Sequence, residues 1–235
     1  MKPSDHASAV RALFDPKASA WADKYSPGGA LAWRVDAFLS AVVDNVPPPG
    51  RLLDFGCGTG QLASAFRQRG YDVTGCDVSP AMLDHARFES AEVRWCRLES
   101  SGSTLPFDDE EFDAVVASSV IEYLADVELT LAEFARILRS GGALVFTVPN
   151  VTHPTRYFER LVARLTAHIE VNPWLPRLSP RLGAFVDYVR LSKNRHGPTE
   201  WCRKVEQLGF DRSMCRTPGR GTMVLLGFRR RPPIY

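Results

Sequence analysis

Between residues 51 and 148 the sequence alternates short apolar runs with amphipathic stretches, and this alternation restricts the fold more than any other feature. Five apolar runs have the length of buried strands, at 51–55, 73–76, 93–96, 112–118 and 143–148. Three stretches between them carry apolar residues at helical spacing, at 62–69, 81–88 and 127–138. Regular alternation of this kind predicts an α/β fold, with a mostly parallel sheet covered by helices on both faces.

The flanking regions add helices and one further pair of strands. Residues 8–45 are expected to form two helical segments, and residues 151–198, which offer no clear strand, a helical insertion. A last helix at 199–208 precedes apolar strands at 210–216 and 222–228, whose short connection makes them an antiparallel hairpin. We therefore expect a single domain over residues 1–235, with an N-terminal helical cap (1–50), a cofactor-binding core (51–150), a helical substrate lid (151–198) and a C-terminal helix and hairpin (199–235).

Charge and cysteine usage exclude several classes of protein. The 29 basic and 27 acidic residues give a net charge of +2, which is too balanced for a dedicated nucleic-acid binder. The five cysteines form no C-x-x-C pair, so we expect no metal site and a reduced, cytoplasmic environment. No apolar run approaches the roughly 20 residues needed to cross a bilayer, and no signal peptide is evident, so membrane insertion is not expected.

The stretch RLLDFGCGTG at residues 51–60 is the most informative about a ligand. Its glycines, Gly56, Gly58 and Gly60, follow a buried strand and allow the main chain, including Cys57, to touch a ligand closely. The spacing is G-x-G-x-G rather than the dinucleotide pattern G-x-G-x-x-G, and Asp54 would repel a pyrophosphate. A carboxylate here suits a ligand with an ammonium or sulfonium charge.

A second acid, Asp77, ends the next strand, where a carboxylate can accept hydrogen bonds from the two hydroxyls of a ribose. Val78 follows it, and Ser79 is placed to cap a helix that has Pro80 in its first turn. Met82 of this helix is predicted to face either the ligand or the core. Asp77 alone does not discriminate between adenosyl cofactors.

Four segments in register resemble the class I S-adenosylmethionine-dependent methyltransferases, and together they span about residues 52–150: DFGCGTG, GCDVSPAMLDHAR, LPFDDEEFDAVVASSVIEYLAD and LAEFARILRSGGALVFTVPN. The resemblance implies a Rossmann-like, doubly wound sheet of seven strands with the last antiparallel. It implies that S-adenosylmethionine is bound and leaves as S-adenosylhomocysteine. It further implies contacts from Glu99 on the adenine side, Ser118 after the fourth strand, and the helix around Trp21 to Tyr25 as a cover.

We expect methyl transfer to a small-molecule acceptor, as O-methylation or alternatively as N- or C-methylation of a natural product or sugar. A proton-bearing acceptor often needs a general base, and three residues are candidates for the catalytic side: Tyr123, His153 and His196. Many related enzymes have Glu-His where this chain has Glu122 and Tyr123. The aromatic and arginine residues of 172–188 suit an aromatic, phenolic or anionic acceptor.

Other functions fit parts of the same pattern. An NAD-dependent oxidoreductase shares the sheet, the glycine turn and the ribose acid. A non-catalytic adenosyl-binding protein would retain the loop without an acceptor site. Methylation of amino groups on DNA bases is disfavoured, because ASSVIEYL stands where an Asn/Asp-Pro-Pro-aromatic motif is expected. A homodimer is possible.

Overall fold

The computed structural model describes residues 3–99, 104–166 and 180–232. Its seven strands form one sheet in the order β3-β2-β1-β4-β5-β7-β6. The strands are β1 (Arg51–Phe55), β2 (Asp72–Asp77), β3 (Arg94–Arg97), β4 (Phe112–Ala117), β5 (Leu138–Pro149), β6 (Phe210–Arg216) and β7 (Met223–Arg230). Strands β1 to β5 pair in parallel, whereas β7 is antiparallel to both β5 and β6. The predicted doubly wound sheet with an antiparallel last strand is confirmed.

Eight α-helices occur among the described residues. They are α1 (Pro3–Phe14), α2 (Trp33–Val43), α3 (Gln61–Gln68), α4 (Pro80–Glu89), α5 (Val127–Ile137), α6 (Pro154–Thr166), α7 (Pro180–Leu191) and α8 (Pro198–Glu206). Three short 3₁₀ helices lie between these elements. Asp15–Ala20 and Ala22–Tyr25 lie between α1 and α2, and Ile121–Tyr123 lies between β4 and α5. The predicted cap of α4 is present, since the Ser79 side chain accepts a hydrogen bond from the Met82 amide at 3.1 Å.

Alternate residues of each buried strand point to opposite faces of the sheet, and each face has its own hydrophobic cluster. In β1, Leu52 joins the cluster that holds Phe38 of α2 and Phe66 of α3. Its neighbour Leu53 points to the opposite face and joins the cluster that holds Phe134 of α5. Both faces of the sheet are therefore covered, which explains why the strands are continuous apolar runs.

The region predicted as a lid contains α6 and α7. Its residues 167–179 lie outside the described residues, and with them His168 and the first part, 172–179, of the aromatic and arginine segment 172–188. Strand β5 starts at Leu138, five residues earlier than the apolar run at 143–148 suggested. Its first residues form a bulge against β4, where the register shifts between Phe112 and Ala114. Within the described ranges, none of the helices has the length and apolar character needed to span a membrane.

Candidate active site

The glycine turn after β1 forms the floor of a cavity at the carboxyl edge of the sheet. The amides of Gly56 and Cys57 both donate to the carbonyl of Cys76, at 2.8 and 3.0 Å, which binds the turn to the end of β2. Gly56 and Gly58 have φ of +70° and +54°, which is unfavourable for residues with a Cβ. A Cβ on Gly56 would also lie 2.6 Å from Val120, so the loops after β1 and β4 approach closely only because this position has no side chain.

The cavity measures about 820 Å³ when the part open to solvent is counted. Its wall comes from the N-terminal segment and from the loops after β1, β2 and β4. The lining residues are Val10, Phe14, Trp21, Tyr25, Asp54, Phe55, Gly56, Cys57, Gly58, Leu62, Asp77, Val78, Ser79, Met82, Leu98, Ser118, Ser119, Val120, Tyr123 and Leu124.

Asp54 is almost completely buried, and one of its carboxylate oxygens, Oδ2, has no hydrogen-bond partner among the described residues. The carboxylate accepts a hydrogen bond from the backbone amide of Ala63 in the first turn of α3. Burial, together with the nearby charge of Asp77, raises the pKa of Asp54 to about 7. A cationic ligand next to the unpartnered oxygen would stabilise the ionised form.

Asp77 is held in place by the main chain. Its two oxygens accept hydrogen bonds from the amides of Gly58 and Ser79, each at 2.9 Å. Burial raises the pKa of Asp77, and these amides act in the opposite direction because they stabilise the carboxylate. Each carboxylate oxygen has a second lone pair, so Asp77 retains the capacity to accept hydrogen bonds from a ribose.

Arg34 of α2 organises the wall near Ser118 and was not identified from the sequence. Its guanidinium is buried, and Nη1 donates to the Ser118 hydroxyl at 3.1 Å. Tyr25 forms side-chain hydrogen bonds with the same two residues, and burial raises its pKa. An arginine in an otherwise amphipathic helix carries no sequence signal for this role, since only the packing of α2 against α3 and β5 brings it next to Ser118.

Helix α1 covers the cavity through contacts at both of its ends. The buried His6 ring nitrogen Nε2 is 2.7 Å from the carbonyl oxygen of Tyr123. The Phe14 ring packs edge-on against Tyr123 and Trp21, at centroid distances of 5.2 and 5.7 Å. Ser79, the cap of α4, donates its hydroxyl to Asp15, which fixes the segment after α1. Nothing in the sequence places His6 at this edge, so this anchor was missed.

Behind Tyr123 lies a buried charged cluster of Glu122, Arg156, Glu159 and Arg195. Glu159 receives hydrogen bonds from both guanidiniums, at 2.6 Å from Arg156 and 2.7 Å from Arg195. Glu122 is also buried, its Oε2 has no partner among the described residues, and burial raises its pKa to about 7 despite the three nearby arginines. Burial and the Glu122 charge raise the pKa of Tyr123 well above its ordinary value, so its phenol stays protonated at neutral pH.

The structure brings most of the predicted cofactor-binding residues into one wall. Nine line the cavity: Tyr25, Asp54, Gly56, Cys57, Gly58, Asp77, Val78, Met82 and Ser118. Gly60 lies behind the wall, with φ of +85° and with Trp95 where a Cβ would stand. Glu99 is exposed, and its neighbour Leu98 contributes to the lining instead.

Of the three catalytic candidates, Tyr123 alone lines the described part of the cavity. His153 is half-buried in the turn before α6, where its Nδ1 lies 2.9 Å from the Thr155 hydroxyl. His196 pairs with Glu200 at 2.9 Å and packs against the Trp201 ring. Both histidines lie near the sheet edge in the sequence, but their side chains contact Thr155 and Glu200 rather than the described part of the cavity.

The residues of this wall fit S-adenosylmethionine. The unpartnered Asp54 oxygen suits a positive charge, and the side-chain-free surface of Gly58 lies below Trp21, whose Nε1 would be 3.4 Å from a Cβ there. A pyrophosphate fits poorly, because the first turn of α3 already donates to Asp54. Across the described ranges, no group of three or more His, Cys, Asp or Glu side chains could hold a metal ion.

Comparison with known proteins gives consistent results. A family model described as a methyltransferase domain matches residues 53–146. The demethylmenaquinone methyltransferase of Tropheryma whipplei is 30% identical over 178 residues, which cover 74% of this chain and 72% of the relative. The malonyl-[acyl-carrier protein] O-methyltransferase of Serratia marcescens is 37% identical over 100 residues, covering 43% of this chain and only 38% of that relative.

Among solved structures, the magnesium protoporphyrin IX methyltransferase of Synechocystis PCC 6803, with bound S-adenosylhomocysteine, superposes with a TM-score of 0.68. It covers 95% of this chain and 99% of its own, at 15% sequence identity. At that identity the superposition establishes the shared fold.

Proposed function

This chain belongs to the class I S-adenosylmethionine-dependent methyltransferases, and from that premise we propose that it methylates an oxygen atom of a small acceptor that is already anionic at neutral pH. A carboxylate is the acceptor group that the wall favours. The observation that carries the proposal is the composition of the cavity wall, whose described residues offer the acceptor no general base.

When bound, S-adenosylmethionine supplies an electrophilic methyl group on a sulfonium centre. Asp54 would hold the positive amino-acid end of the cofactor, and Asp77 would accept hydrogen bonds from its ribose. Gly56 and Gly58 allow the main chain to contact it, and Met82 and Leu98 provide apolar surface for the adenine. These residues bind and orient the donor, which is the main requirement for an in-line methyl transfer.

The titratable side chains of the described cavity wall are Tyr25, Asp54, Cys57, Asp77 and Tyr123. Burial raises the pKa values of both tyrosines and of the Cys57 thiol, so these three remain protonated near pH 7 and do not act as bases. The two carboxylates are assigned to the cofactor. An acceptor that arrives deprotonated needs no proton transfer before it attacks the methyl group.

Arg34 supports an anionic acceptor from behind the wall. Its guanidinium is buried next to Ser118, and its Nε has no hydrogen-bond partner among the described residues. A positive charge in this low-dielectric position attracts an acceptor anion. The protonated Tyr123 phenol can donate a hydrogen bond, while Phe14, Val10 and Leu124 keep water from the reacting atoms.

Methyl transfer from S-adenosylmethionine labelled in the methyl group tests this proposal. The acceptors would be sets of carboxylic acids, phenols and amines matched in carbon skeleton. We expect label to enter the carboxylic acids and to be released as volatile methanol by mild alkali, because methyl esters hydrolyse whereas N-, C- and ether-linked methyl groups do not. Incorporation that resists alkali, or that favours the amines, would contradict O-methylation of an anion.

Calorimetric titration tests the cofactor preference that distinguishes this chain from the dinucleotide-dependent oxidoreductases, which share the sheet and the glycine turn. We expect S-adenosylmethionine and S-adenosylhomocysteine to bind and the nicotinamide dinucleotides not to bind, because Asp54 occupies the helix terminus that a pyrophosphate would use. Binding of the dinucleotides alone would reverse the assignment.

A further inference from the structure

Helix α6 buries charged side chains and exposes apolar ones, which is the reverse of an ordinary surface helix. Its buried side chains are charged, with Arg156 and Glu159 each less than a tenth exposed. Its opposite side presents Phe158, Leu161 and Leu165 to solvent, 61%, 53% and 62% exposed. These three are spaced i, i+3 and i+7, so they form one continuous stripe along the helix. Surface helices normally place such a stripe against the core.

The rotation of α6 is fixed by its charged inner face. Arg156 donates to Glu159, to the Tyr188 hydroxyl at 2.9 Å and to the Thr222 carbonyl at 3.1 Å, and Arg195 donates to the other oxygen of Glu159. Turning the helix to bury its apolar stripe would break these bonds and leave Arg195, which does not belong to α6, without its counter-charge Glu159, which is unfavourable. The stripe is therefore held outward.

The exposed charges of α6 itself are of one sign. Glu159, the only acidic residue of α6, is buried and paired with Arg156 and Arg195. The exposed charges of the helix are therefore Arg160 and Arg164. Tyr157, 63% exposed, lies between them and the stripe, with Arg160 over its ring at 5.8 Å. The helix thus has an apolar side next to a basic side, as interfacial helices on membranes do.

A second, independent feature lies beside the same helix. A surface cavity between α6, α7 and the segment after α7 is lined by seven residues, and its four charged members are all basic: Arg160, Arg190, Lys193 and Arg195. A site of this composition attracts a phosphate or another anion.

We propose that α6 docks the protein on an anionic lipid surface, with Phe158, Leu161 and Leu165 in the acyl boundary and the basic cavity against a phosphate-bearing headgroup. This is contact with one leaflet and involves no membrane span. It also goes beyond the proposed methyl transfer. A second copy of the chain fits less well, because a two-fold contact through the stripe would bring the Arg160 and Arg164 side chains of both copies together.

Sedimentation with vesicles tests this inference on the full chain. The probes are vesicles of phosphatidylcholine alone and of phosphatidylcholine mixed with phosphatidylglycerol. We expect the protein to partition at least about tenfold more strongly onto the anionic vesicles, and the partition to weaken as salt is added. Failure to bind the anionic vesicles, or equal binding to both kinds, would overturn the proposal.

Two paired variants separate the apolar and the electrostatic contributions. Leu161→Glu with Leu165→Glu removes the stripe, and Arg164→Glu with Lys193→Glu reverses two exposed charges. We expect each pair to lower the partition onto anionic vesicles by about tenfold or more. Phe88→Glu is the matched control, because Phe88 is 89% exposed on α4, a different helix, and this variant should partition like the unchanged protein.

Circular dichroism and calorimetric affinity for S-adenosylmethionine would establish that the variants remain folded, independently of methyl transfer. If the paired variants bind vesicles normally, or if Phe88→Glu loses binding equally, the assignment of α6 is wrong. Sedimentation velocity gives the other decisive outcome. A dimer that dissociates in the Leu161→Glu, Leu165→Glu variant, without vesicle binding by the unchanged protein, would assign the stripe to self-association instead.

Discussion

At the scale of single residues, the protonation state of Asp54 is coupled to the binding of a cationic ligand. Because its pKa is about 7, about a tenth of it is ionised at pH 6 and about three quarters at pH 7.5. A cationic ligand binds the ionised form, so the dissociation constant of S-adenosylmethionine should fall about eightfold over this interval. Calorimetry at the two pH values measures this.

Asp54→Asn should weaken binding and remove its pH dependence. Asp72→Asn is the control, because Asp72 is exposed at the opposite end of β2 and should leave the profile unchanged. A profile that persists in Asp54→Asn would show that another group is titrating.

Glu122 gives a prediction about stability. In the unfolded chain a glutamate titrates near 4.5, whereas burial raises the pKa of Glu122 in the fold to about 7. The folded state therefore favours the protonated form, and the stability this provides is lost as the pH rises from about 4.5 to about 7. Glu122→Gln avoids the cost of burying the charge and should increase the free energy of unfolding at pH 8 by up to about 3 kcal/mol. Urea unfolding at pH 8 and pH 5 checks this, and the gain should shrink at pH 5.

A matched variant in the same cluster, Glu159→Gln, should change the free energy of unfolding in the opposite direction. Glu159→Gln leaves Arg156 and Arg195 without their shared counter-charge, and it should destabilise the fold by about 3 kcal/mol at pH 8. If the two variants lowered stability equally, Glu122 would be an ordinary ion-pair partner of the arginines.

At the scale of elements, α1 covers the cavity without belonging to the sheet, so its contribution to ligand binding can be tested separately. His6→Ala removes the contact between α1 and the Tyr123 carbonyl while leaving the lining residues in place. Loss of one buried hydrogen bond should raise the dissociation constant of S-adenosylmethionine by up to about tenfold. Hydrogen exchange of the α1 amides should become faster in the same variant.

Arg11→Ala is the control for this effect, because Arg11 lies on the same helix and its guanidinium donates locally to the Ser8 hydroxyl at 2.9 Å. Unchanged affinity and unchanged exchange in His6→Ala would show that α1 is held by its apolar contacts alone.

At the scale of the whole molecule, the strand order places the site. The chain runs outward from β1 to β3 on one side and from β4 towards β6 on the other, so the loops after β1 and β4 leave the sheet in opposite directions. The cavity lies in the crevice between them, with Asp54 and Gly56 on one side and Ser118 and Val120 on the other. The N-terminal segment then crosses above this crevice, which is why residues distant in sequence share one wall.

The sequence by itself determined the features that depend on neighbours along the chain. Strand runs, the glycine turn with its positive φ angles and the cap at Ser79 are local features. For this reason the sequence alone indicates that Asp54, Gly58 and Asp77 share one edge of the sheet, and in the structure all three line the cavity. The antiparallel hairpin was equally readable, because a short connection permits no other pairing.

Only the tertiary structure decided which side chains turn inward. Arg34 lies behind the cavity wall and donates to Ser118 because α2 packs over the sheet, and His153 turns to Thr155 instead of the cavity. The apolar pattern of α6 predicts a helix that buries its stripe, yet the ion pairs of Glu159 hold that stripe outward. Local pattern fixes the type and period of an element, whereas its rotation follows from long-range contacts that leave no periodic signal in the sequence.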